Sequence, residues 1–167
     1  MGVLFQFDDM NILKFKDGYI GNPRLVYCGR PRKDEYYCQQ LLIGLGNPYS
    51  WRNSKKAKFK VKNLAESLSE YRKWLWKLIC CYRDRNLDKL HPWEFRYWQL
   101  MKHLAIVIAK GNIDGLVCFC REIHNYLPVK GQEKCHTQIL YSACLYLIDS
   151  GLVDVNDESE IDLGSLW

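Results

Sequence analysis

Apolar residues recur at three- and four-residue steps through Leu64, Leu68, Tyr71, Leu75 and Leu78, the spacing of one buried helical face. Asn63 stands where an N-cap is needed and Glu66 follows three residues later, so a helix with a capping box is predicted to begin there. A second helix is predicted from His91-Pro92, with proline suited to the first turn, through Phe95, Trp98, Leu100 and Met101 to about Lys110, where Gly111-Asn112 ends it. A third follows Cys135 with Ile139, Ala143 and Leu147 in phase and stops at Gly151.

Shorter apolar runs carry β character. Val3 to Phe7 and Ile12 to Phe15 flank Asp8-Asp9-Met10-Asn11 and predict an N-terminal hairpin, Arg24 to Cys28 predicts a third strand, and Gly115 to Val117 a fourth. From Gly29 to Asn63 the chain is rich in Gly, Pro, Ser and charge and reads as loop, with a short helical turn near Tyr36 to Leu42. The order of elements predicts an α/β fold: a small, open, mainly parallel sheet flanked by helices, with the hairpin as an N-terminal addition. At 167 residues, 48% apolar and 26% charged, the chain suits a single α/β domain over 1–150, followed by an acidic C-terminal tail over 151–167. The longest apolar run, Leu104 to Ala109, falls far short of the ~20 residues that span a bilayer. With no signal-type N-terminus, the expected setting is the cytoplasm, without a membrane partner.

The net charge of +5 is unevenly spread. Residues 111–167 contain only Arg121, Lys130 and Lys134 as Lys or Arg, against nine acidic side chains, so the basic surface belongs to the front of the chain. Arg52, Lys55, Lys56, Lys58, Lys60 and Lys62 surround Trp51 and Phe59, a mixture able to meet phosphates and stack on bases, and equally able to be a solvated lysine-rich loop. Asp149 to Asp162 holds six acids and no base, the composition of a solvated segment.

The chemistry concentrates in Cys118-Phe119-Cys120 and Cys135-His136, at a strand end and a helix start. Eight cysteines without an export signal favour free thiols or a metal over disulfides. Zinc is the candidate cofactor, with Cys118, Cys120, His124 and Cys135 as ligands; His124 is preferred to His136 because consecutive helical residues diverge by ~100°. The catalytic alternative makes Cys135 a nucleophile at the positive end of a helix dipole and His136 a proton carrier. The structural alternative buries the thiols as small hydrophobes.

Taken in order, Val26-Tyr27-Cys28-Gly29-Arg30, Leu45-Gly46-Asn47-Pro48-Tyr49, Tyr71-Arg72-Lys73-Trp74-Leu75, Leu116-Val117-Cys118-Phe119-Cys120 and Cys135-His136 resemble a domain family of bacteria and phages whose function is unknown. The resemblance covers about residues 25–150. Residues 121–134 stand where family members leave only a short link. It implies a compact α/β domain of phage or mobile-element type, in the host cytoplasm if phage-encoded, without supplying a reaction. In open α/β sheets ligands lie beyond the carboxyl ends of the strands, so a nucleotide-like small molecule is expected at this junction, contacting Arg30, Asn47, Arg52 and His136. The competing expectation is an interaction module that meets nucleic acid or protein through Arg52, Lys55, Lys56 and Lys58, with the Cys/His block structural or zinc-binding.

Overall fold

The helices form where their stripes and caps predict them. In the computed structural model, which describes residues 10–19, 22–30, 44–129 and 131–157, α1 is Leu64–Arg83, α2 is Pro92–Ala109 and α3 is His136–Asp149. Asn63 Oδ1 accepts the Glu66 amide at 2.9 Å, and Glu66 reaches back to accept the Lys62 amide. Pro92 opens α2, and Glu94 accepts the His91 amide at 3.0 Å. Gly111 and Gly151 leave α2 and α3 at φ of 66° and 67°, conformations that cost glycine little. None of the described helices is long and apolar enough to cross a membrane.

The strands are β1 (Met10–Lys14), β2 (Leu25–Tyr27), β3 (Tyr49–Ser50), β4 (Phe59–Lys60), β5 (Gly115–Cys118) and β6 (Ile123–Tyr126). Four of them make the main sheet in the order β2-β5-β1-β6, with β2, β5 and β1 parallel and β6 antiparallel at the edge. The fold is therefore α/β, with a small, mostly parallel sheet flanked by three helices. Alternation along the strands divides its two faces. Ile12, Val26, Cys28, Leu116 and Cys118 join the large core with the helices, whereas Leu25, Tyr27 and Val117 form a smaller cluster with Leu13, Phe15 and Tyr19.

Three details depart from the sequence expectations. The Ile12 to Phe15 run is no peripheral hairpin arm: β1 lies inside the sheet between β5 and β6, while Val3 to Phe7 lies outside the described residues. The stretch read as loop contains the short parallel pair β3 and β4, anchored by stacking of Phe59 on Tyr49 at 5.0 Å; the helical turn expected near Tyr36 to Leu42 falls outside the described residues. Residues 121–134 contribute β6, whose Asn125 amide donates to Asn11 Oδ1. At the other end, Val153 is buried in the core and Asp157 pairs with Lys102 at 3.2 Å, so the acidic segment lies against α2 as far as it is described.

A polar chain runs through the core between helices and loop. Tyr97 donates to the Leu45 carbonyl at 3.0 Å, and the Tyr71 hydroxyl, 2.6 Å away, donates in turn to Tyr97. Tyr97→Phe strands both the carbonyl and the Tyr71 hydroxyl in an apolar interior and is expected to cost about 2–4 kcal/mol, against ~1 kcal/mol for Tyr71→Phe. Urea unfolding of the two variants checks the order, and equal losses would contradict it.

Candidate metal centre and basic cleft

Three thiols converge because three local rules place them together. Cys118 ends β5 on its helix-facing side, Cys120 follows after one residue in a bend, and Cys135 caps α3. Their sulfurs all lie within 4.8 Å of one another, and Cys118 and Cys135 are 3.3 Å apart. Zinc with bonds of ~2.3 Å in a tetrahedron needs sulfurs ~3.8 Å apart, so the cluster is geometrically compatible with holding a metal ion such as zinc. The Cys120 amide points at the Cys118 sulfur at 3.4 Å, and α3 presents its positive end to Cys135.

Electrostatics favours one thiolate in the group. Hydrogen bonds from the Cys120 and Cys135 thiols hold Cys118 far below the ordinary thiol pKa. Donating to Cys118 pushes Cys120 well up and Cys135 to about 11. Burial opposes a charged His136, but hydrogen bonding and charge from Cys120, with the Cys28 carbonyl, outweigh it and raise His136. Cys135 is 1% exposed. Burial restricts a substrate's approach to this sulfur, whereas the grouping of three sulfurs around one point suits ligation of a metal ion.

Cys120, Cys135 and His136 form one wall of a cleft of about 550 Å³ at the carboxyl ends of β2 and β5. Arg30, Arg52, Lys56, Arg121 and Lys134 line it, and no acidic side chain does so among the described residues. Trp51 is 40% exposed at the cleft, with the Arg52 guanidinium 4.7 Å from its ring. The Arg121 Nε is buried without a hydrogen-bond partner, a donor left over on a wall of positive charge.

The expected contacts divide on inspection. His124 is not brought to the sulfurs: it sits on the sheet edge, its side chain 65% exposed, 3.0 Å from Glu122. His136 is, with Nδ1 4.0 Å from the Cys135 sulfur. Arg30 lines the cleft, but its guanidinium already donates to the Asn47 and Tyr49 carbonyls, and the Asn47 amide bridges Tyr49 and Ser67. Gly46 lets the two motifs interlock, since a Cβ there would stand 2.9 Å from Arg30 Cα. Lys55 is exposed, and Lys58 lies over the Trp93 ring at 5.0 Å. Sequence reasoning missed Arg121 and Lys134. Their signal was present: in the acid-rich back of the chain every Lys or Arg falls between Cys120 and Cys135, and these two adjoin the cysteines.

Comparison with protein-family models, with curated proteins and with solved structures found no match for this chain.

Proposed function

We propose that this chain is a zinc-braced interaction module that binds single-stranded nucleic acid in its basic cleft. The observation that carries the reading is the lining itself: five cationic side chains, no acid among the described residues, and an exposed indole beside them. Backbone phosphates meet the cations while a base stacks on Trp51, a combination that tolerates sequence. Zinc, held by Cys118, Cys120 and Cys135, ties the β5 end to the α3 cap and so fixes the wall that carries Arg121 and Lys134. The seven cysteines among the described residues are free, which suits a reducing cytoplasm, of a host cell if the resemblance to phage domains holds.

A mononucleotide is the second reading, favoured by the cleft's volume and its position at the strand ends. Fluorescence anisotropy with a labelled single-stranded oligonucleotide, competed by nucleoside monophosphate, separates the two. The first reading predicts saturable binding that weakens steeply with salt and resists competition at equal nucleotide concentration. Displacement at that concentration points to the mononucleotide, and the absence of binding to either at low salt contradicts both.

A further inference from the structure

The three thiols leave a fourth position, and the imidazole beside them is held as a ligand would be. We infer that His136 Nδ1 completes a closed Cys3His zinc site with Cys118, Cys120 and Cys135; the inference rests on the zinc-braced reading above. The Cys28 carbonyl can only accept, and it lies 2.6 Å from His136 Nε2, so Nε2 carries the ring proton. In the neutral ring, the form that binds a metal, this leaves a lone pair on Nδ1, the atom turned toward the Cys135 sulfur. Metal-bound imidazoles are held in this way, with the second nitrogen donating to a carbonyl or carboxylate that fixes the ring.

Neighbouring positions in a helix could not share one ion, but Cys135 is not helical. It is the cap, with φ −144° and ψ 143°, so the helical divergence does not apply to it, and its sulfur lies 4.0 Å from His136 Nδ1. The His136 ring is pinned further by Tyr71, edge-on at 5.8 Å, and is 9% exposed. Its bond to Cys28 brings the end of β2 into the same knot as β5 and α3. With four protein ligands the ion is structural, and it keeps no open position for a substrate.

Cobalt(II) titration of the reduced full chain tests this, because thiolate-to-cobalt charge-transfer intensity counts sulfur ligands. Wild type is expected to bind one ion with the intensity of three thiolates, and His136→Cys to gain about a third as three become four. His136→Ala is expected to lose more than ~100-fold in affinity, beyond the loss typical of an outer partner. His124→Ala is expected to match wild type. An unchanged intensity in metal-loaded His136→Cys overturns the fourth ligand while leaving the zinc reading intact. Failure of reduced wild type to bind cobalt overturns the zinc reading itself. Cadmium-113 bound to wild type gives the same answer without a variant: scalar coupling to the His136 ring protons is expected, and coupling to cysteine protons alone contradicts the assignment.

Discussion

Stripping zinc from the folded, reduced protein is expected to lower its thermal midpoint by about 8–16 °C. The magnitude follows from mass action: an ion at 1,000 times its dissociation constant stabilises the native state by ~4 kcal/mol. In a chain of this length each kcal/mol moves the midpoint by ~2–4 °C. Removal also leaves Cys118 and Cys135 buried with sulfurs 3.3 Å apart and no cation between them. Differential scanning calorimetry with and without chelator measures the shift, and readdition of zinc should restore the midpoint. Cys118→Ser should reproduce the chelated state and respond to neither treatment. Equal midpoints in all conditions would mean that the thiols hold the fold as small hydrophobes without a metal.

Neutralising the cleft is the second large change. Arg52, Arg121 and Lys134 form none of the ion pairs found among the described residues, so their charge is available to a polyanion. If each meets one phosphate, the triple alanine variant should lose about 2 units of slope in log affinity against log salt for a single-stranded oligonucleotide. Wild type should then lose ~15-fold more affinity than the variant between 50 and 200 mM salt. Lys55→Ala, outside the cleft lining, should leave the slope nearly unchanged. Parallel slopes for wild type and the triple variant would place the nucleic-acid surface elsewhere.

The helices could be read from the chain because their causes are local. The stripe from Leu64 to Leu78, the Asn63 and His91 caps and the glycines at 111 and 151 act within a turn or two of their own positions. The place of β1 could not be read, since its neighbours β5 and β6 come from the far half of the chain. β6 has only Ile123 and Tyr126 as apolar residues, and its pairing with β1 defines it, so the pattern hardly announces it.

The site shows the same division. The convergence of Cys118, Cys120 and Cys135 was legible as a strand end meeting a helix start. The choice between His124 and His136 was not, because the ~100° rule applies inside a helix and Cys135 lies just outside one. The quoted motifs also meet physically: Arg30 holds the Asn47 turn, Tyr97 bonds Leu45, and Tyr71 packs on His136. Their joint order therefore has a structural reason, the interlocking of loop, helix and cysteine wall, apart from any shared activity.

If zinc braces the wall that meets nucleic acid, the two ligands are coupled, and native mass spectrometry of the reduced protein with zinc and a short single-stranded oligonucleotide reads that coupling. One species containing one chain, one zinc and one oligonucleotide is expected, with a chelator releasing the metal and the oligonucleotide together. Oligonucleotide bound equally well to metal-free protein would contradict it.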